Sequence, residues 1–309
     1  MKRYILGGHA LTVLFSINTL QKLATLEAAM REVAERGGKI FEIPYLLVGG
    51  EVTWAAIGEA AKRAGIEEVA ICHFFPVNPD GSSGCGDPLG DAGEVERALK
   101  TIDDIIAAIQ IIRQRGIIVR SIDGPTHTCL GKEYLLDDAT VESRLVYFLR
   151  AAGEKCLAAG LTLAVEPLRR HEDKVIAGTA KMVRILTLVN HLAVRLHFDV
   201  FHSVENGEDP AAAILAAKAW IVYLHLHGDK RIAPGADGDS RDWRAIVDAV
   251  KQICTAGVKD IPVIPEPFGT DTRSECPPLG EGLPPTPALA EYLDVAYPTL
   301  IEAGLQLAA

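Results

Sequence analysis

Short apolar runs rich in isoleucine, valine and leucine alternate along the whole chain with longer segments of helical period. The first half contains four such runs, RYILGG, KIFEIP, EEVAICHF and GIIVRSID. The second half contains four more, LTLAVEP, AVRLHFDVFH, IVYLHLHGD and IPVIPEPF. Short, almost continuously apolar runs are typical of parallel strands that are buried on both faces. The pattern therefore predicts eight buried strands.

The segments between these runs carry apolar residues at helical spacing. The clearest is GEVERALKTIDDIIAAIQIIRQRG, whose apolar stripe contains Val95, Ala98, Leu99, Ile102, Ile106 and Ile109. This helix and the next one, ATVESRLVYFLRAAGEKCLAAG, are expected to end near Gly116 and Gly160. A last outer helix is predicted in ALAEYLDVAYPTLIEAG. Strand–helix alternation repeated eight times predicts an α/β fold, a (β/α)8 TIM barrel with outer helices, as one domain over residues 1–309.

Each strand-like run of the second half ends in a residue type that binds metals. These residues are Glu166, Asp199, His225 and Glu266. Equivalent strand ends converge at one rim of a parallel barrel, and buried ionisable groups there need a partner or a metal. Alternation along YLHLHGD also places three side chains on one face, Tyr223, His225 and His227. We therefore predict one divalent cation, with Mn²⁺ as the first expectation and Co²⁺, Mg²⁺ or Zn²⁺ as alternatives.

Composition and charge narrow the class of partner. The 309 residues are 49% apolar and 23% charged, and the formal net charge is −10. Because nucleic acids and anionic membranes attract basic proteins, this acidic balance favours a small-molecule partner over either of them. No apolar run approaches the roughly 20 residues of a membrane helix.

Cysteine usage and the first residues bear on the cellular location. The six cysteines form no C-x-x-C pair, so free thiols and a reducing compartment are expected. The start, MKRYILGGHALTVLFSI, has the basic end and apolar run of a signal peptide. It lacks a clear small-x-small cleavage site, so we interpret it as the first strand and expect a cytoplasmic protein.

The four strand ends lie within short blocks of fixed spacing. Residues 166–172 read E-x3-R-x-E, and residues 199–202 read D-V-F-H. Residues 225–235 read H-x5-R followed by P-G, and residues 266–268 read E-P-F. In these blocks the chain resembles the xylose-isomerase-like barrel superfamily, and most closely its D-tagatose and D-psicose 3-epimerases. The resemblance covers most of the chain and is most specific in its second half.

The resemblance implies a metal site and an acid–base pair. By position, the metal ligands of the family are matched by Glu166, Asp199, His225 and Glu266. The cation would bind the C2 carbonyl and C3 hydroxyl oxygens of a free ketose and stabilise a cis-enediolate. Inversion at C3 needs a base on one face and an acid on the other, and the resemblance assigns these roles to Glu166 and Glu266.

Substrate contacts also follow from the resemblance. His202 and Arg231 would contact sugar oxygens near C1 and C2, and Glu172 would hold a hydroxyl or polarise a water. In the E-x3-R-x-E block, the arginine is matched by Arg170. The relatives are often dimers or tetramers, so a homo-oligomer that acts on a small sugar is expected.

Other functions on the same barrel stay open at this point. The stretch LHGDKR differs from the G-E-x-N-R of the epimerases, which leaves hydroxypyruvate isomerase, aldose–ketose isomerase, 2-keto-myo-inositol dehydratase and keto-glycoside chemistry as alternatives. An endonuclease IV-like nuclease is a remote alternative, since residues 237–241 contain no histidine where that family has Asp-x-His. A non-catalytic sugar-binding barrel is disfavoured because the whole acid–base and metal set is present.

The first half of the chain offers weaker candidates for the sugar pocket. His9, Glu42 and His73 lie near the ends of the first three strands, and residues 124–127 follow the fourth, including Gly124, Pro125 and His127. Long loops at residues 76–93, 230–242 and 269–287 follow the third, seventh and eighth strands. Loops of this length at a catalytic rim are candidates for lids.

Overall fold

Eight parallel strands close into a barrel in chain order. The computed structural model describes residues 3–9, 19–49, 52–78, 80–266 and 289–305. The strands are β1 Arg3–His9, β2 Ile40–Pro44, β3 Glu68–Cys72, β4 Ser121–Gly124, β5 Thr162–Val165, β6 Val194–Asp199, β7 Ile221–His225 and β8 Asp260–Ile264. All neighbouring strands pair in parallel, and β1 pairs with β8. The predicted parallel (β/α)8 barrel is confirmed.

Helices connect the strands and lie outside the barrel. They are α1 Thr19–Glu35, α2 Trp54–Ala64, α3 Ala92–Arg113, α4 Asp138–Ala158, α5 Thr179–Val189, α6 Val200–Glu205, α7 Pro210–Ala217, α8 Trp243–Val250 and α9 Leu289–Glu302. Short 3₁₀ turns occur at Tyr45–Leu47 and Asp229–Arg231. Within the described ranges, no helix combines the length and apolar composition that a membrane span requires.

The buried face of α3 is slightly rotated from the predicted stripe. Val95, Ala98, Ile102 and Ile109 are buried as predicted, but Leu99 and Ile106 are only half-buried. Additional buried positions on this helix are Thr101, Ile105, Ala108 and Ile112. The buried positions repeat at three- and four-residue steps, so the contact face is centred beside the one that the sequence suggested.

One predicted strand is shorter than its apolar run. The run AVRLHFDVFH leaves the barrel at Asp199, and helix α6 begins at the next residue. Asp199 caps this helix, since its Oδ1 accepts hydrogen bonds from the backbone N–H groups of Phe201 at 2.6 Å and His202 at 3.2 Å. The aspartate therefore ends the strand because it satisfies the first free N–H groups of the helix.

The barrel interior changes from apolar to polar along its axis. Its apolar layer consists of Ile5, Ile40, Ala70, Ala164, Val222, Tyr223 and Ile264. At the carboxyl ends of the strands, this layer meets buried carboxylates and histidines. At the amino ends, Asp260 binds Arg3 at 2.5 Å, and Arg120 contacts Asp260 and Glu68, each at 3.0 Å. The polar carboxyl end is where a barrel of this type carries its chemistry.

Candidate metal centre

The structure brings the four predicted ligands together at the carboxyl end of the barrel. Nδ1 of His225 faces one oxygen from each of three carboxylates, at 3.6 Å from Glu166, 3.7 Å from Asp199 and 3.5 Å from Glu266. These four side chains are nearly inaccessible to solvent. Donor atoms that surround one cation at about 2.0–2.3 Å lie roughly 3–4.5 Å from one another. Candidate ligand atoms of Asp199, His225 and Glu266 lie within 4.8 Å of one another, so these three side chains fit a divalent cation, and Glu166 contacts the same imidazole nitrogen.

Strand register places these side chains on one level. Asp199 and His225 are the last residues of β6 and β7, and they pair directly, while His225 also pairs with Ile264 of β8. Glu166 follows the end of β5, and its backbone N–H donates to the carbonyl of Gly124 at 3.0 Å. Parallel pairing thus fixes residues that are distant in sequence at one rim.

Glu42, one of the weaker pocket candidates, lies beside the candidate metal centre. It is fully buried behind His225. Its Oε2 lies 2.9 Å from Nε2 of His225 and accepts a hydrogen bond from the Tyr223 hydroxyl at 2.5 Å. A carboxylate on the far nitrogen orients a histidine and leaves Nδ1 for a metal.

His227 is a candidate donor that sequence reasoning did not assign to the site. Its Nε2 lies 3.2 Å from Asp199 Oδ2 and 3.3 Å from Glu266 Oε2, and the side chain is fully buried. Candidate ligand atoms of Asp199, His225, His227 and Glu266 all lie within 4.8 Å of one another. The signal for His227 was its position two residues after His225, on the same side of the chain.

The buried charges shift one another's pKa values. Burial raises the pKa of Glu166 to about 8, against the opposing effect of His225. Burial also acts to raise the pKa of Asp199, but His227 and His202 hold it well below its usual range. Burial acts to lower the pKa of His225, but Glu42 and Glu266 raise it well above its usual range. The shifts run in opposite directions because each buried group responds to the charges of its neighbours.

Arg231, a predicted substrate residue, lies at the edge of this cluster. Its guanidinium donates to Glu266 Oε2 at 3.1 Å, lies 3.2 Å from Nε2 of His202, and stacks 4.3 Å over the ring of Phe201. Lys230 and Arg231 both have positive φ, of 53° and 64°. Left-handed backbone is unfavourable for side chains of this kind and is often found at functional sites.

His202 and Glu172, the other predicted substrate residues, lie beside Arg231. His202 Nδ1 accepts a hydrogen bond from the Arg169 backbone N–H at 3.2 Å and lies 3.6 Å from Glu172. Burial lowers the pKa of His202 to about 4, so its ring is neutral near pH 7. Burial acts to raise the pKa of Glu172, but the neighbouring His202, Arg231 and Arg169 lower it below its usual value.

The arginine that contacts Glu172 is the neighbour of Arg170, the residue matched in the E-x3-R-x-E block. Arg170 is exposed, whereas the guanidinium of Arg169 binds Glu172 at 3.1 Å. The side chain of Arg169 is only 13% exposed. Arg169, not Arg170, is therefore the arginine that contacts Glu172.

Two of the first-half histidines, His73 and His127, are buried. His73 is fully buried, neither ring nitrogen has a hydrogen-bond partner within the described residues, and burial lowers its pKa to about 3. Nε2 of His127 lies 2.7 Å from Asp173, and both side chains are fully buried. The side chain of His9, the E-P-F residues 267–268 and the loop at 269–287 lie outside the described residues.

In the described parts of the long loops after β3 and β7, acidic side chains accept hydrogen bonds. In the loop after β7, Asp239 accepts hydrogen bonds from the N–H of Gly235 at 2.8 Å and from Trp243 Nε1 at 2.5 Å. In the loop after β3, Asp87 binds Lys132 and the Tyr134 hydroxyl, each at 2.8 Å. A lid role for either loop stays a prediction.

A (β/α)8 barrel with acidic and histidine side chains at its carboxyl rim defines a class of sugar-isomerase-like barrels, and sequence comparison places the chain there. The chain belongs to the Xylose isomerase-like TIM barrel family, whose model matches residues 30–295. It is similar to L-ribulose 3-epimerase of Mesorhizobium japonicum, with 26% identity over 231 residues, covering 74% of this chain and 72% of that relative.

Solved structures of ketose 3-epimerases share the fold. An L-ribulose 3-epimerase matches with a TM-score of 0.73 and 20% identity over 98% of this chain and 96% of that one. D-psicose 3-epimerase from Clostridium cellulolyticum H10, solved with D-tagatose, matches with a TM-score of 0.76 and 18% identity over 99% of this chain and 100% of that one. The resemblance stated from the sequence blocks is confirmed.

Proposed function

We propose that the protein is a divalent-metal-dependent epimerase that inverts C3 of a free ketose. The observation that carries this proposal is the approach of Glu166 and Glu266 to the same atom, His225 Nδ1, from strands β5 and β8. The carboxylates enter the site from separate strands, as a base and an acid on opposite faces of one carbon require. The relatives named above, all ketose 3-epimerases, support the same reaction.

Four side chains would hold the cation, namely Glu166, Asp199, His225 and Glu266. Three carboxylates and one imidazole suit Mn²⁺ first, with Co²⁺, Mg²⁺ and Zn²⁺ as alternatives. When bound, such a cation polarises the ketose carbonyl and makes the C3 hydrogen more acidic.

Two different protons move, one from C3 to the first glutamate and one from the second glutamate to C3. One carboxylate takes the proton from C3, and the electron pair of the broken C–H bond forms the double bond of an enediolate. The other, protonated carboxyl then donates its proton to C3 from the opposite face, and the carbonyl at C2 re-forms. Roles exchange in the reverse reaction, so each glutamate must be able to carry a proton.

The neighbouring cation and histidine position the reacting groups. Arg231 donates to Glu266 and so limits the directions in which this carboxylate can turn. His202 is neutral near pH 7 because burial lowers its pKa to about 4. A neutral imidazole beside Arg231 is suited to share hydrogen bonds with sugar hydroxyls without adding a second positive charge.

The test is epimerisation by metal-depleted protein to which Mn²⁺ is returned, with L-ribulose, D-psicose and D-tagatose as substrates. We expect the C3 epimer to form only with the cation present. Glu166→Gln and Glu266→Gln should each lower kcat by about 10²–10⁴-fold. Glu302→Gln, at an exposed position of α9, serves as the matched control. Full activity in both site variants would exclude the assigned acid–base roles.

A second candidate is an aldose–ketose isomerase on the same barrel. His227 favours it, because a buried imidazole beside Asp199 and Glu266 departs from the epimerase block G-E-x-N-R noted above. Such an enzyme moves a proton between C1 and C2, so it would produce an aldose and leave C3 unchanged. The product of a single ketose incubation separates the two reactions.

The proposal also includes a cytoplasmic protein with one domain over residues 1–309 that assembles as a dimer or tetramer. Light scattering of the purified chain at several concentrations would give the mass of the assembly, and a stable monomer would remove that part of the proposal.

A further inference from the structure

A second group of ligand-type side chains lies inside the barrel on three neighbouring strands. Glu42 comes from β2, Cys72 ends β3, and Asp123 lies on β4. Their candidate ligand atoms all lie within 4.8 Å of one another. In the sheet register, Cys72 pairs with Asp123 on one side and with Pro44 on the other. Glu42 lies two residues before Pro44, so the alternation of strands puts all three side chains on the interior face.

Small residues leave space for this group. Glu42 pairs with Ala70, and Asp123 pairs with Ala164. Both alanines belong to the apolar layer of the barrel interior. Since paired residues of parallel strands point to the same face, an alanine beside each carboxylate keeps the space between the strands open.

Asp123 is the member of the group whose burial most needs an explanation. It is 0% exposed, and among the described residues neither of its carboxylate oxygens has a hydrogen-bond partner. Burial raises its pKa, with a further contribution from Glu42, and burial likewise raises the pKa of the Cys72 thiol. A buried carboxylate without partners is strongly unfavourable unless a cation or a proton neutralises it.

The group is separate from the candidate metal centre but adjoins it through one residue. Oε2 of Glu42 accepts a hydrogen bond from the Tyr223 hydroxyl and contacts Nε2 of His225. The carboxylates of the metal centre face Nδ1 of the same ring. The two groups therefore lie on opposite sides of the His225 imidazole and have no proposed ligand in common.

We propose that Glu42, Cys72 and Asp123 bind a second divalent cation of the zinc class, Zn²⁺ or Co²⁺. A thiolate and two carboxylates supply three of the four ligands of a tetrahedral site. The thiolate selects these cations over Mg²⁺ and Ca²⁺. The cation neutralises Asp123 and fixes Glu42, which in turn holds the ring of His225. Cys72 retains 8% exposure at the carboxyl end of β3, so the cation enters from the rim.

Cobalt spectroscopy tests this site independently of any enzyme activity. The candidate metal centre contains no sulfur ligand, so a thiolate-to-Co²⁺ charge-transfer band in the near ultraviolet reports on Cys72. Metal-depleted full-length protein titrated with Co²⁺ should bind about two ions per chain and develop this band. Glu266→Gln, which weakens the other centre, should keep the band, so failure of the epimerase proposal would not imitate failure of this one.

Variants assign the band to its ligands. Cys72→Ser should abolish it and lower the stoichiometry to about one ion. Asp123→Asn, which keeps the shape of the side chain, should lower the Co²⁺ affinity, as followed by the intensity of this band, at least about tenfold. Cys254→Ser, at an exposed cysteine, is the control and should leave the band unchanged. Absence of the band at saturating Co²⁺ would overturn the proposal in favour of carboxyls held by shared protons. Loss of the band only in Cys254→Ser would overturn it as well.

Discussion

Buried carboxylates have different partners at the two ends of the barrel. At the amino end, Glu68 and Asp260 are only 3% and 10% exposed, and each contacts the guanidinium of Arg120 at 3.0 Å. Arg3 adds a second pair with Asp260. The arginines, which are 58% and 39% exposed, reach from solvent over the acids. The protein supplies its own counter-charges here, so this end is structural.

At the carboxyl end, three carboxylates instead surround one imidazole nitrogen. Glu166, Asp199 and Glu266 lie within 3.7 Å of His225 Nδ1, and the nearby arginine, Arg231, donates to Glu266. Burial of this many acids is unfavourable without further positive charge. Similar acidic residues are therefore paired with arginines at the amino end, whereas at the carboxyl end they surround an imidazole and form a candidate ion-binding site.

Removal of one carboxylate from the rim should have the largest effect. Asp199→Asn removes a donor that faces both His225 and His227, so we expect Mn²⁺ affinity to fall at least about 100-fold. Epimerase activity should fall with it. Isothermal titration calorimetry measures the affinity, and Asp248→Asn, on the exposed face of α8, is the matched control. Unchanged affinity would show that the rim carboxylates do not form a metal site.

Loss of the guanidinium at the rim should affect turnover more than metal binding. Arg231→Met removes the donor to Glu266 and the contact with the His202 ring, so kcat/KM should fall about 10–100-fold while Mn²⁺ affinity changes little. Steady-state kinetics at saturating Mn²⁺ make the measurement, and Arg231→Lys separates charge from fork geometry. Equal loss of metal affinity in both variants would contradict a role in positioning.

Substitution behind the rim should have an intermediate effect. Glu42→Gln keeps the volume but weakens the contact that orients His225, so Mn²⁺ affinity should fall about 10–100-fold without loss of folding. Thermal unfolding and metal titration on the same sample distinguish orientation from collapse. If Glu42→Gln does not fold, Mn²⁺ affinity is measured instead in Tyr223→Phe, which removes the second hydrogen bond to Glu42.

The amino end should respond in stability instead of metal binding. Arg120→Met leaves Glu68 buried without its guanidinium, and we expect the free energy of unfolding to fall by about 2 kcal/mol. This value is reduced for solvent screening because the arginine side chain is 39% exposed. Denaturant unfolding measures it. A change in Mn²⁺ affinity with no change in stability would contradict the contrast between the two ends.

Glu68 should also give a slope of stability with pH, which per pH unit is the smallest of these effects. Burial raises the pKa of Glu68 to about 7, above its unfolded value, while Arg120 acts in the opposite direction. The folded state therefore binds more protons, and its stability falls as pH rises from about 4.5 to 7, by at most about 1.4 kcal/mol per pH unit. Glu68→Gln should flatten this slope, as measured by urea unfolding across that range.

The sequence predicted the barrel and the candidate metal-ligand positions at its rim for the same reason. Apolar runs identify strands, parallel strands end at one rim, and so Glu166 and Asp199 could be placed together without knowing any contact. The end of β6 at Asp199 agrees with the predicted ligand position, but the sequence did not reveal that Asp199 also caps α6.

Contacts across the barrel interior could not be predicted from the sequence. Glu42 and His225 are far apart in the chain, and their contact depends on which strands face each other once the barrel has closed. His227 shared the face of His225, but alternation alone does not reveal its distance from Asp199. Likewise Arg169 and Arg170 are adjacent in sequence, and only the turn after β5 decides which of them reaches Glu172.

Hydrogen exchange at C3 of a ketose tests the central claim most directly. Protein loaded with Mn²⁺ is incubated with L-ribulose or D-psicose in D₂O, and deuterium is located by NMR. We expect deuterium at C3 together with the C3 epimer, and neither after metal removal or in Glu166→Gln. Deuterium at C1 or C2 with an aldose as product, or no exchange in the metal-loaded protein, would contradict epimerisation at this site.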